Sequence, residues 1–219
     1  MNTSLMLSRK NVWPELNTQI RQSIIQEGHN LTTLWELSSP RIESNRRQTE
    51  DIILRMFTDN PLLCMGRNRY RYDTKPRDAW RGTMHEMALI NPSPMSAIRG
   101  LSKEGKWDKH TLNNTGERRY LVVEFDSGII DEHAAILIHL GQIAPLVLVV
   151  HSGGKSLHGW FYVHNQPETK VLNFFRYAVS LGADRQLWSR CQFARMPDGT
   201  RENGARQSVY YLNFKSLPR

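Results

Sequence analysis

The chain has 219 residues, a formal charge of +8, 39% hydrophobic and 23% charged residues, the profile of a soluble globular protein with enough chain for one large domain or two small ones. Its pI near 9.7 points to a polyanionic partner, nucleic acid first and an anionic membrane second. No run of 18 apolar residues is present, which excludes a membrane-spanning helix. MNTSLMLSRK lacks the apolar core of a secretory signal, and the isolated Cys64 and Cys191 exclude a CxxC zinc knuckle and a disulfide framework. A reducing cytoplasm is the expected compartment.

The first half is expected to be mixed and mainly helical. In residues 14–26, Leu16, Ile20 and Ile24 recur along one helical face. In residues 45–57, Ile52, Ile53, Met56 and Phe57 do the same, and Asp59-Asn60-Pro61 ends the pattern. PLLCMG (61–66) reads as a short buried strand. RNRYRYDTKPR (67–77) sets Arg67, Arg69, Tyr70, Arg71 and Lys75 in a loop or sheet edge. Bases stacking on aromatics and phosphates meeting cations would suit single-stranded nucleic acid there; a solvated loop is the alternative. NPSPMS (91–96) and residues 99–118 read as irregular, with few regular elements.

The second half alternates cleanly. Residues 118–126 (RRYLVVEFD) form a strand, 131–142 a helix, 146–150 (LVLVV) a strand, and 156–163 (SLHGWFYV) another strand. Residues 168–181 form a core-packed helix and 206–214 a last strand. This β-α-β-β-α-β order is the split-βαβ, ferredoxin-like plan, whose usual strand order 4-1-3-2 would put the first and third strands side by side in the centre. Period-two alternation places Glu124 and Asp126 on one face of the first strand, and Ser156 and His158 on one face of the third. The apolar sets, Leu121, Val123 and Phe125 with Leu157, Gly159, Phe161 and Val163, belong under the helices, so the polar sets converge on the open face.

Two carboxylates at i, i+2 on a strand end repel unless something neutralises them. Mg²⁺ or Mn²⁺ would do so through oxygen ligands and would recruit substrate phosphates; a solvated strand edge is the alternative. A third carboxylate follows the second helix at Asp184, with Asp198 in MPDG a second candidate. The letters GGKS before the third strand suggest a P-loop, but that pattern needs a glycine at position 149, which is Val149. The Gly153-Gly154 turn with Lys155 is read instead as an anion nest beside His158. His158 on its own has a structural reading next to Trp160. Arg195, Arg201 and Arg206 surround the Pro/Gly-rich turn of residues 195–207 and are candidate triphosphate or template contacts, or a solvated basic loop.

A strand ending in Glu124-Phe125-Asp126, then Ser156-Leu157-His158 after a Gly-rich turn, then a lone Asp184, resembles the archaeo-eukaryotic primase (AEP) superfamily. SGGKSLHGWF and QFARMPDGTRENGARQ, with LWELSSPR, NPSPM and RRYLVVEFD, are most similar to its primase-polymerase branch of phages, plasmids and integrated elements. The resemblance runs over most of residues 34–214. It implies an α+β, AEP-type domain: a mixed helical and strand half at 1–117 packed on an RRM-like half at 118–219 that carries the motifs. It further implies template-directed nucleotidyl transfer on single-stranded DNA, making primers or extending strands from NTPs or dNTPs in replication of a mobile element. Glu124, Asp126 and Asp184 would hold two Mg²⁺ or Mn²⁺ ions, and His158 with Ser156, Lys155 and Arg195 would hold the nucleotide. The pair commonly begins with Asp in this family; Glu124 keeps the charge and adds one methylene of reach. The zinc element and helicase that often accompany the family have no counterpart in this sequence, which leaves a helicase fused downstream or encoded separately. Two other classes share the plan. A non-catalytic RRM-like binder would place aromatics on its first and third strands, where this chain has Glu124, Asp126 and His158 alongside Trp160 and Tyr162. A rolling-circle initiator needs an HxH motif that is absent here, although Tyr210 and Tyr211 exist.

Overall fold

The computed structural model describes residues 13–40, 42 and 47–217. The segment MNTSLMLSRK, Arg41 of LWELSSPR and the start of the second expected helix at residues 45–46 lie outside the described residues. Helix α1 (Thr18–Gln26) begins where the Asn17 side chain accepts the Ile20 N–H at 3.0 Å. Its apolar stripe is not its buried face: Leu16 and Ile20 are 54% and 40% exposed, while Ile24 is buried together with Arg21. Arg21 turns inward because it donates to the Leu181 carbonyl at 2.7 Å and pairs with Glu132 at 2.9 Å. An orphan carbonyl beyond a helix end and a carboxylate thus replace the apolar contact the periodicity suggested. A short helix α2 (Leu31–Glu36), not expected from the sequence, is set by a capping box between Asn30 and Thr33. Helix α3 (Thr49–Met56) buries Ile52, Ile53 and Met56 as its spacing predicts.

Strands β1 (Leu62–Gly66) and β2 (Tyr72–Pro76) form an antiparallel pair, so RNRYRYDTKPR is a turn running into an edge strand. Asn68 shapes that turn by accepting the N–H groups of Tyr70 and Arg71, both at 2.8 Å. After β3 (Leu89–Ile90), β4 (Gly100–Leu101) and β5 (Trp107–Asp108) make a small hairpin inside the stretch read as irregular. The second half runs β6 (Tyr120–Glu124), α4 (Ile130–Gly141), β7 (Leu146–His151), β8 (Leu157–Tyr162), α5 (Glu168–Ser180), β9 (Ala194–Arg195) and β10 (Val209–Leu212). The whole is a mixed α+β architecture with antiparallel sheets.

Among the described residues the strands form two four-stranded sheets, β2-β1-β3-β9 and β10-β7-β8-β6, besides the β4-β5 hairpin. The first interlocks the two halves, since β9 returns from the second half to pair with β3. In the second sheet the first strand of the βαββαβ plan, β6, lies beside the third, β8, as expected, but at the edge rather than in the centre. The last strand, β10, pairs with β7 and not with β6, giving the order 4-2-3-1. The outer side of β6 is met instead by a single bridge, Phe125 to Ala183.

The face assignment from alternation holds on the helix side: a Cβ on Gly159 would fall 2.4 Å from Leu137 Cδ2 of α4. The opposite face is less open than expected. Tyr120 and Trp160 are fully buried there, with Tyr120 donating its hydroxyl to the Met56 carbonyl at 2.7 Å and stacking edge-on against Phe57. Helix α3 closes that part of the sheet and leaves open the end where β6 stops. No helix among the described residues is long and apolar enough to cross a membrane.

Candidate active site

Glu124, the last residue of β6, is the cross-strand partner of His158 on β8. Nε2 of His158 lies 2.7 Å from Oε2 of Glu124. The oxygen sits off the ring N–H direction, so both imidazole nitrogens are buried without an aligned hydrogen-bond partner among the described residues. Burial alone would push the Glu124 carboxyl up. His158 and the Arg195 guanidinium outweigh it and hold Glu124 below the usual glutamate range.

Asp184 reaches the pair through the backbone. Its N–H donates to the Glu124 carbonyl at 2.9 Å, extending the Phe125–Ala183 bridge by one residue. One of its carboxylate oxygens caps a short turn by accepting the Gln186 N–H at 2.9 Å. Burial raises the Asp184 carboxyl above the ordinary range, and the negative charges of Asp126 and Glu124 raise it further. Asp126 stands exposed one residue beyond the bridge. Three carboxylates therefore feel one another, although among the described residues no three carboxylate, imidazole or thiol groups are gathered in ligating geometry.

Glu124 and Asp184, but not Asp126, line a cleft of about 840 Å³ whose wall also includes His158, Arg195 and Arg201, large enough for a nucleotide. Arg195 projects from β9, half-buried. Burial and the neighbouring Arg201 push it below the usual arginine range, Glu124 pulls it back, and Arg69 adds further repulsion. Arg195 has no carboxylate within ion-pair distance among the described residues. Cations that repel one another thus stand beside acids that repel one another, an arrangement that can accept an anion together with a hard cation.

No family model and no curated protein sequence matches the chain. Among solved structures, the AEP domain of a cyanophage S-2L primase-polymerase (PrimPol) matches with a TM-score of 0.53, covering 77% of this chain and 91% of that one, at 12% sequence identity. The fold is AEP-like. The likeness lies in the course of the backbone.

Within this AEP-like fold the cleft also takes in Arg67, Arg69 and Tyr70 from the β1–β2 turn, the tip of which meets the 200–206 turn through a hydrogen bond from Asn68 to Glu202. Other expected site residues lie elsewhere. Arg71 is exposed on the turn, and Lys75 sits over the Trp80 ring at 4.6 Å, beside Asp73. Ser156 is buried in closing the Gly-rich turn, its N–H donating to Ser152 Oγ at 3.2 Å and its carbonyl accepting the Ser152 N–H at 2.8 Å. Lys155 is exposed at the tip of that turn. Arg201 links turn and cleft by donating to the Gly153 carbonyl at 3.4 Å.

Arg206 does not face the cleft. Its Nε and Nη2 donate to the two oxygens of the buried Asp198 at 2.5 and 3.1 Å. Asp198 also accepts the Gln48 N–H at 2.7 Å, and its carbonyl accepts from Arg47 at 2.8 Å. Of the two candidates for the third acid, Asp184 is the one that lines the cleft.

Sequence reasoning passed over an aromatic wall in the same cleft, formed by Tyr72, His110 and Phe193. His110 stacks on Phe193 with ring centroids 3.8 Å apart, and burial pushes its imidazole down to about 4. Tyr72 donates its hydroxyl to Asp108 at 2.8 Å. Phe193, two residues before Arg195 in QFAR, was the signal within reach, because an extended segment carries both on one face.

Proposed function

We propose that the chain is a primase-polymerase that makes or extends strands on a single-stranded DNA template by metal-dependent nucleotidyl transfer. One observation carries the reading: in an AEP-like fold, the acid-ended strand β6, His158 and Asp184 meet Arg195, which has no ion-pair partner among the described residues, at one nucleotide-sized cleft.

Glu124, Asp126 and Asp184 would hold Mg²⁺ or Mn²⁺. The donor set fits a hard divalent cation, since it supplies oxygen only, and burial together with the charges of Asp126 and Glu124 raises Asp184. The bound metal would supply charge neutralisation and activation of the attacking hydroxyl. The ring nitrogens of His158 are buried beside Glu124, so the ring would have to turn toward the cleft to donate to a nucleotide phosphate. Arg195 and Arg201 neutralise the remaining phosphate charge, and Arg67, Arg69 and Tyr70 border the path for template or incoming strand. The RRM-like second half, 118–219, is the part that carries this chemistry, packed on the half formed by residues 1–117. A helicase, fused or separate, would supply unwound template in replication of a mobile element.

A purely binding RRM-like role is disfavoured, since Trp160 on the third strand is fully buried and offers no ring to a base. The test is product sizing on a gel after incubation with unprimed or primed single-stranded DNA, labelled NTPs or dNTPs, and Mg²⁺ or Mn²⁺ in turn. Metal-dependent products are expected from the wild type and none from Asp126→Ala. An Asp126→Ala protein as active as wild type would sink the metal-ligand assignment, and metal-independent binding without incorporation would sink the enzyme.

A further inference from the structure

The β4–β5 hairpin is unusual for what it exposes. Trp107 is 68% exposed, and its cross-strand partner Leu101 is 45% exposed on the same face. A large aromatic left in water on an unpaired loop would need no explanation, but this one stands in a hydrogen-bonded hairpin. At the tip, Ser102 donates its N–H to the Lys106 carbonyl at 2.8 Å while Gly105 takes φ 76°. At the base, the buried Asn114 side chain donates to the carbonyls of Ala97 and Lys109, both at 3.0 Å, and Asn113 accepts the Leu101 N–H at 3.2 Å. A satisfied polar network of this kind fixes geometry.

Charge and position say what the ridge meets. Arg99, Lys103 and Lys106 are exposed around Trp107, with Glu104 as the acid between the two lysines. Asp108, the next residue, points the other way and accepts from Tyr72 of the cleft wall at 2.8 Å and from the His110 N–H at 3.0 Å. The exposed indole thus stands three residues along the chain from His110 in the cleft. That puts the two Cα atoms at most roughly 10 Å apart, with the indole on the face of the hairpin opposite the one Asp108 turns toward the cleft wall.

We propose that the β4–β5 hairpin is a docking ridge for single-stranded template DNA, with Trp107 stacking on a base and Arg99, Lys103 and Lys106 meeting the flanking phosphates. The proposal rests on reading the cleft as a template-directed polymerase site. Bases stack on any aromatic face and phosphates attract any cation, so the ridge holds template without regard to sequence.

Fluorescence anisotropy with a labelled single-stranded oligonucleotide tests it. Trp107→Ala should weaken binding about tenfold, and Trp107→Phe should restore most of the affinity. Lys103→Ala/Lys106→Ala should lower the slope of log affinity against log salt by roughly 1.4, the loss of two phosphate contacts. Thermal melting alongside wild type excludes unfolding as the cause. Unchanged affinity and salt slope in these variants overturn the proposal, as does a Trp107→Ala protein that binds DNA normally but sediments as a smaller species, which would make the ridge a contact between protein copies. The two readings fail separately. Wild-type incorporation with Trp107-independent binding removes the ridge alone, whereas Trp107-dependent binding without incorporation removes the polymerase and leaves the ridge.

Discussion

Asp184 and Asp198 are both acids placed after a structural break in the second half, and they should answer the same substitution in opposite ways. At Asp198 the backbone sits at φ 55°, a conformation that Asn adopts as readily as Asp, so Asp198→Asn removes charge without adding strain. What it removes is a carboxylate that is 3% exposed and grips Arg206 through both oxygens, with Arg47 Nη1 3.9 Å away. Breaking a buried ion pair from one side costs about 3–5 kcal/mol, which in a chain of this size lowers Tm by roughly 6–20 °C. Asp184→Asn acts the other way. Burial and the charges of Asp126 and Glu124 hold the Asp184 carboxyl above the ordinary range, so ionising it costs the folded state more than the unfolded one at neutral pH. Its Asn variant should melt at or above wild type and incorporate no nucleotide. Thermal melting and primer extension on the two proteins decide the matter. An Asp198→Asn protein as stable as wild type yet inactive, or an Asp184→Asn protein that still incorporates, would overturn this division of roles between the two acids.

Three further outcomes are expected. Gly159→Ala drives a methyl to 2.4 Å from the buried Leu137 Cδ2 and should cost about 1–3 kcal/mol in denaturant unfolding; an unchanged midpoint would mean that α4 yields more easily than its packing suggests. His110 stays neutral in the folded protein down to about 4, against an ordinary value of 6.5. Stability should therefore fall as pH drops between those values, by up to about 3 kcal/mol. His110→Phe, which keeps the stack on Phe193, should flatten that part of the Tm-against-pH curve, and parallel curves would count against it. Arg195→Ala should raise nucleotide KM at least tenfold, since a charge-assisted hydrogen bond contributes about 1.5–3 kcal/mol, with partial recovery in Arg195→Lys. Steady-state incorporation at varied nucleotide measures it, and an unchanged KM would place the phosphates elsewhere.

What could be read from the sequence was whatever a local period controls. Alternation alone put Glu124 and His158 on one face, and the chain pairs them directly across β6 and β8. It also put Gly159 under α4. Contacts between distant segments were not legible. Tyr72, His110 and Phe193 come from three separate stretches, and Phe193 reaches the other two only beside the long-range pairing of β9 with β3. Arg21 lies off the apolar stripe of Leu16, Ile20 and Ile24, and only the Leu181 carbonyl and Glu132 explain why it turns inward. The β4–β5 hairpin has strands of two residues each, too short to leave a period at all.

The strand order is the most instructive departure, because it bears on the site. In the expected order the last strand would run along the outer side of β6 and occupy its backbone groups. Here β10 pairs with β7 at the far edge of the sheet, and β6 keeps an open side. The segment that leaves α5 uses that side for one bridge, Phe125 to Ala183, and one further hydrogen bond, from the Asp184 N–H to the Glu124 carbonyl. Backbone hydrogen bonding thus fixes a third carboxylate beside the first at a distance of two residues from Asp126. A full strand at that edge would have carried the chain past the acid pair with its side chains committed to the two sheet faces. The edge position of β6, which the βαββαβ pattern did not suggest, is what lets Asp184 reach the cleft.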